Sequence, residues 1–216
     1  MTHNGRNGGR IVKRLMDVAL AAIVLLVASP ILLLCVFMIA VTMGRPILFR
    51  QQRPGLGEVP FDLVKLRTMN PADSSQVWFR SDSARLTPLG RALRRTSLDE
   101  LPTLFNVLKG DMSLVGPRPL LMEYLPKYTP QERRRHEVRP GITGLAQVSG
   151  RQRLPFSERI RLDVWYVDNW ALRLDLKILV RTLCTFGRAV KSGQDVDDVD
   201  DIGLSPDRAR KRTTGS

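Results

Sequence analysis

The sequence predicts a mostly helical α+β protein. It should combine a membrane-embedded helix–break–helix segment with a membrane-associated cytoplasmic domain, which carries a short β-hairpin and amphipathic interface helices. Three observations predict this. No charged residue occurs from Val18 to Gly44, and that apolar run is interrupted by Ser29-Pro30. Two β-rich stretches around a Pro-Gly-Leu-Gly turn follow it. The remainder holds short apolar stripes at helical spacing, separated by Gly and Pro. The 216 residues suffice for one domain and an appendage, with expected boundaries at 1–10, 11–45, 46–190 and 191–216.

Residues 1–10 are polar and Gly-rich and are expected to be disordered. Arg10, Lys13 and Arg14 precede the apolar run. As helix that run is about 40 Å long, against a hydrocarbon core of about 30 Å. It overshoots a signal-peptide core, and no A-x-A site follows. Pro30 removes a backbone donor and crowds the carbonyl of Leu26, which something must cover; the Ser29 hydroxyl is adjacent. Two geometries satisfy this: a kinked spanning helix, or a re-entrant hairpin with arms of roughly 20 Å each. Arg10, Lys13 and Arg14 before the run and Arg45, Arg50 and Arg53 after it give neither end an advantage, which favours the hairpin with both ends cytoplasmic.

Ile47–Gln52 and Pro60–Met69 read as the two strands of the hairpin, with Lys65 and Arg67 on one face. Asn70–Ala84 is polar and reads as a loop. Leu86–Arg95 is a basic amphipathic segment, apolar at Leu89, Leu93 and Leu98. The stretch Thr96–Pro119 is the centre of the chain. Either Ser97 and Glu100 form a capping box, or Asp99 caps a helix with Pro102 in its first turn. Both readings place Asp99 and Glu100 at the positive end of a helix whose apolar stripe is Leu101, Leu104, Phe105 and Leu108 and whose stop is Gly110. Acidic residues there are ordinarily only caps. Thr129 and Glu132 form a second capping-box pattern, Arg139–Arg151 reads as a Gly-rich loop with a short strand, and Pro155–Val190 as largely helical with Trp165, Tyr166 and Trp170 clustered. The charged tail from Lys191 is expected to be disordered.

The charge balance is the outlying figure: 34 Lys+Arg against 21 Asp+Glu gives +13. Nucleic acid, anionic membrane and phosphorylated substrates all suit it. No nucleic-acid motif accompanies the charge, so no nucleic-acid partner is expected. Cys35 and Cys184 give neither a disulfide framework nor a metal spacing. The two histidines are His3 and His136, and no P-loop, Gly-x-Gly-x-x-Gly or Ser-His-Asp set occurs. Carboxylates and arginines remain as the chemical inventory. A membrane segment, a basic domain and a carboxylate pair together suggest a phosphorylated lipid substrate. Arginine neutralises phosphoryl oxygens, a carboxylate can act as nucleophile, and a divalent cation, most plausibly Mg²⁺, screens the approach of the two anions.

Lys13–Asp17 (KR-x-x-D), Ser29-Pro30, KLRTM at 65–69, TSLDELP at 96–102, NVLKGDMSLVGPRP at 106–119 and RPGITGLAQVSGR at 139–151 occur in that order. This set resembles the bacterial sugar transferases, the monotopic phosphoglycosyl transferases of glycan and exopolysaccharide assembly, over Lys13 to Thr182. With no N-terminal multi-span region in the sequence, it resembles the small form. The resemblance implies transfer of a sugar-1-phosphate from a UDP-sugar to a polyprenyl phosphate such as undecaprenyl phosphate, with release of UMP, at the cytoplasmic face of the bacterial inner membrane. It implies Asp99 as nucleophile carrying a covalent phosphosugar and Glu100 in a metal or proton role, with Mg²⁺ as the metal. Arg94 and Arg118 would handle phosphate, with Pro117 and Pro119 shaping the Arg118 loop. Lys65 and Arg67 would lie near the site with unassigned roles. Lys13, Arg14 and Asp17 would mark the membrane boundary, and Ser29-Pro30 the break of a re-entrant helix. A ternary-complex transferase, in which Asp99 only binds metal, and a non-catalytic binder of polyprenyl phosphate are the rivals. A homodimer is compatible with the sequence, which names neither the sugar nor the glycan.

Overall fold

The computed structural model describes residues 3–70, 85–150 and 154–192, with side chains over 8–70, 85–150 and 154–184. Most of the loop expected over 70–84, Arg151 and the tail beyond Ser192 lie outside the described residues. Helix α1 spans His3–Met43. The hairpin follows as β1 (Leu48–Pro54) and β2 (Pro60–Leu66), antiparallel, with Arg53 opposite Phe61 and Phe49 opposite Lys65. Then come α2 (Pro88–Thr96), a 3₁₀ turn (Leu98–Glu100), α3 (Thr103–Lys109) and β3 (Ser113–Val115). A 3₁₀ segment (Met122–Lys127) leads to α4 (Pro130–Arg133), which continues as a 3₁₀ turn to Glu137. Strand β4 (Gly141–Thr143) pairs in parallel with β3, and α5 (Leu145–Ser149), α6 (Phe156–Asp168) and α7 (Leu172–Ser192) complete the chain.

The N-terminal expectation is corrected: α1 begins at His3, so residues 3–10 are helical rather than disordered. Extending an existing helix adds one hydrogen bond per residue fixed, which tolerates even this Gly-rich sequence. Only 11% of the most apolar window of α1 is buried, too little for a core helix, and its length suits a bilayer. The expected helix–break–helix is corrected in one respect: α1 runs through Ser29-Pro30 without interruption, and the Ser29 hydroxyl donates to the Leu26 carbonyl at 2.8 Å, covering the acceptor that the proline strands and so letting the helix continue.

Both ends of α1 are fastened to the same domain. Arg14 donates to the carbonyls of Val107 (2.6 Å) and Leu108 (2.9 Å), at the end of α3. Asp17 accepts from the Ser113 hydroxyl at 2.7 Å and the Leu114 amide at 3.2 Å. Lys13 reaches the Val115 carbonyl and Asp175. At the other end, Arg67 donates to the carbonyls of Met43, Gly44 and Arg45. The main core joins Ala21 and Leu25 of α1 to Phe61, Leu63, Leu104, Val107, Tyr166 and Ile178, while Cys35 and Ile39 pack in a second cluster with Leu66 and Leu93.

The central stretch departs from both helix-start readings. Ser97 is the left-handed C-cap of α2 (φ 54°) rather than half of a capping box, and Asp99 makes no capping bond. Pro102 is the N-cap of α3. A seven-residue helix starting beyond the carboxylates adds little dipole stabilisation to them. Gly110 does end α3, at φ 102° where a side chain would be strained. Leu104 packs as expected, but Phe105 is 55% exposed and Val107 is the fully buried residue of α3.

Candidate active site

The site assembles where the hairpin, the α2–α3 turn and the segment after β3 meet. Asp99 and Glu100 sit in the 3₁₀ turn; Asp99 is buried and Glu100 half-buried. One oxygen of Glu100, Oε1, accepts from Lys65 Nζ at 2.8 Å and from Arg118 Nη2 at 2.9 Å. The strand register explains how Lys65 gets there. Phe61, Leu63 and Lys65 of β2 and Gln51 and Arg53 of β1 share one sheet face. Arg53, Lys65, Glu100, Arg118 and Pro119 all line one pocket, floored by Leu63 and Met112. Asp99 is outside that lining, one residue along the chain. Arg94, in the last turn of α2, donates from Nε to Thr68 Oγ1 at 3.0 Å and exerts its charge on Asp99.

The two carboxyls are pushed apart. Burial and then the Glu100 charge raise Asp99 to about 6, against the opposing pull of Lys65 and Arg94. Burial also acts to raise Glu100, but Lys65 and Arg118 outweigh it and hold this carboxyl well below its usual range. One group is therefore firmly anionic and the other is poised to gain or lose a proton near neutrality.

The Arg118 loop rests on close backbone approach. A Cβ on Gly116 would lie 2.4 Å from the Arg139 carbonyl, and one on Gly141 would lie 2.1 Å from the Gly116 amide. Glycine at both positions is what lets β3 and β4 come together. Gly141 donates to the Pro117 carbonyl at 2.9 Å, and Arg53 Nη1 donates to the Pro119 carbonyl at 3.3 Å.

Of the residues singled out from sequence, Lys65, Arg94, Asp99, Glu100, Arg118, Pro117 and Pro119 gather here. Arg67 does not. β2 ends at Leu66, the alternation stops, and Arg67 turns to the carbonyls that end α1. Ser29 and Pro30 belong to α1 and touch none of the pocket lining. Sequence reasoning counted Arg53 only as charge flanking the apolar run. Its two-residue spacing from Gln51, read with the hairpin register, is the signal that puts it opposite Phe61, on the sheet face that Lys65 shares. Thr68 lies in the KLRTM motif but carried no role of its own, and Arg135 is marked by nothing local in the sequence.

Among the described residues no group of three or more Asp, Glu, His or Cys converges as a metal cage. The Asp99–Glu100 pair fits a hard cation whose shell is completed by phosphate oxygens and water.

A carboxylate pair set among Lys65, Arg94 and Arg118, on a domain carrying a long exposed apolar helix, suits anionic substrates and association with a membrane, and the relatives of the chain make its class that of a transferase. A family model described as bacterial sugar transferase matches residues 8–189. The uncharacterized sugar transferase EpsL of Bacillus subtilis is 52% identical over 173 residues, covering 80% of this chain and 86% of that protein. The UDP-glucose:undecaprenyl-phosphate glucose-1-phosphate transferase of Caulobacter vibrioides is 44% identical, covering 79% of this chain and 68% of that protein. The undecaprenyl-phosphate galactose phosphotransferase of Salmonella typhimurium is 37% identical over 82% of this chain and 40% of its own length. The chain belongs to the bacterial sugar transferase family.

Proposed function

We propose that this enzyme transfers a sugar-1-phosphate from a UDP-sugar to a polyprenyl phosphate, with Asp99 as the covalent nucleophile, and so initiates exopolysaccharide or glycoconjugate assembly. The observation that carries the reading is the junction at Glu100, where Lys65 and Arg118 meet one carboxylate oxygen beside the buried Asp99. The names of the Caulobacter and Salmonella relatives support the acceptor class and sugar-phosphate chemistry.

Two displacements make up the reaction. A carboxylate oxygen of Asp99 forms a bond to the phosphorus bearing the sugar, the bond to the bridging oxygen breaks, and UMP leaves. An oxygen of the polyprenyl phosphate then displaces Asp99, which regains its carboxylate. Arg118 and Lys65, which line the pocket, and Arg94, whose charge acts on Asp99, would supply positive charge to the phosphoryl oxygens, usually the largest contribution to such a step. Glu100 keeps Lys65 and Arg118 oriented by hydrogen bonds. Mg²⁺ held by Asp99, Glu100 and the diphosphate would neutralise charge on the donor.

The membrane reading follows from α1. Both of its ends bond to one domain, through Arg14 and Arg67, which supports a re-entrant hairpin bent at Ser29-Pro30 with both ends at the cytoplasmic face of the inner membrane. Labelling of single cysteines at Gly9 and Leu56 tests it. Access from the same side fits the hairpin, and access from opposite sides refutes it.

Purified protein, Mg²⁺ and a panel of UDP-sugars without acceptor, followed by intact-protein mass spectrometry, tests the chemistry. A gain of one sugar phosphate is expected, absent in Asp99→Asn and discharged by polyprenyl phosphate. UMP release only when acceptor is present, with no adduct and sequential kinetics, would replace the covalent route by a ternary complex.

A further inference from the structure

We propose that Arg135, clamped by Asp163, is the positioning residue of Arg118. The proposal deepens the functional reading above, in which Arg118 contacts phosphate. The segment Pro117-Arg118-Pro119 is short of donors, because neither proline has an N–H. It is held through its carbonyls instead, and each of the three accepts a bond from a different element. Pro117 accepts from the Gly141 amide in β4, Pro119 from Arg53 in β1, and Arg118 from Arg135 Nη2 at 2.7 Å. The Arg135 bond is at the residue whose own guanidinium reaches Glu100.

Arg135 is built for that single task. Its side chain is 1% exposed. Nε and Nη2 both donate to Asp163 Oδ2, at 3.1 and 2.6 Å, and Nη1 points to the Tyr128 hydroxyl at 3.4 Å. A buried ion pair is a poor device for stability alone, since apolar residues of the same volume usually serve as well. The planar fork of arginine can hold one carboxylate and still aim an N–H at a carbonyl beyond it, whereas a lysine ammonium cannot match both. Asp163, on α6, thus fixes the fork, the fork fixes the Arg118 backbone, and the backbone sets where the Arg118 guanidinium enters the pocket.

The test is a double-mutant cycle on the full-length protein, with hydrogen exchange of segment 113–121 measured in parallel. Arg135→Lys should lower kcat by about 10–100-fold, with the donor KM changed by less than about threefold. In an Arg118→Ala background the same change should cost less than about threefold, because the residue it acts through is gone. Equal loss in both backgrounds would show a general structural role and overturn the proposal. Arg135→Lys should also speed exchange in 113–121 while the exposed neighbour variant Arg134→Ala leaves it unchanged; unaltered exchange in Arg135→Lys overturns the proposal whether or not turnover is measurable. Should Arg135→Lys fail to fold, the isosteric Asp163→Asn takes its place with the same readouts. Absence of turnover in the unmodified enzyme with every UDP-sugar would sink the transferase reading and leave the exchange result to decide this one.

Discussion

Two carboxylates in this molecule bind a lysine at almost the same distance, and they do opposite work. Asp175 is fully buried and both its oxygens are taken: Lys13 at 2.7 Å and the Trp170 indole at 3.1 Å on Oδ2, and the Tyr166 hydroxyl at 2.7 Å on Oδ1. Glu100 is 20% exposed and takes Lys65 and Arg118 on Oε1, at the wall of a pocket. The first junction ties the start of α1 to α6, α7 and the end of β3. The second lines a pocket. Of these two carboxylates, the saturated one serves the fold, and the one at the pocket wall is available for chemistry.

The contrast can be broken from either side. The largest effect belongs beside the open junction: Asp99→Asn should cut turnover by at least about 10³-fold while membrane association persists, measured as UMP release and vesicle flotation. Asp175→Asn should act on the closed junction alone. Leaving Lys13 without its buried partner should cost about 3–5 kcal/mol of stability, read as a lowered unfolding midpoint, with turnover per folded molecule retained. Turnover lost at unchanged stability would erase the distinction. Arg118→Ala should raise the barrier by roughly 2.7–4 kcal/mol, a 10²–10³-fold fall in kcat, with little change in midpoint.

The smallest effect sharpens the electrostatics. Burial and the Glu100 charge raise Asp99 to about 6, so kcat/KM should climb about tenfold per pH unit below 6 and level off above it, as the ionised nucleophile fills. Stability should run the other way. A carboxyl with a raised folded pKa favours the fold most below its unfolded value near 3.8, and that contribution is lost as pH rises through 6. A flat rate profile across this window would remove Asp99 from the ionisation that limits the reaction.

What the sequence disclosed follows from how local each signal is. The β-hairpin, the Gly110 stop and the Thr129–Glu132 capping box are written within a few residues, and all three appear. So does Ser29 over the Leu26 carbonyl. The 3₁₀ turn at Asp99-Glu100 was misread because Ser-x-x-Glu and Asp before Pro both imitate a helix start, while tertiary packing ended α2 at Ser97 instead. The short strand expected within Arg139–Arg151 is β4, but its three-residue partner β3 is too short for periodicity to show, and so is their pairing of Ser113 with Gly141. Arg67 shares a motif with Lys65 yet lies beyond the last residue of its strand, so alternation no longer governed it. Arg135 is fully buried in a run of three arginines that reads as surface charge.

Arg14 grips α1 near one end and Arg67 near the other, and both grips are on the domain that holds the pocket. Two sets of hydrogen bonds, one toward each end, resist any swing of α1 away from the pocket. Set in a bilayer, α1 would act as a keel, passing changes of depth and tilt to the domain that holds Glu100 and Arg118 through these two grips.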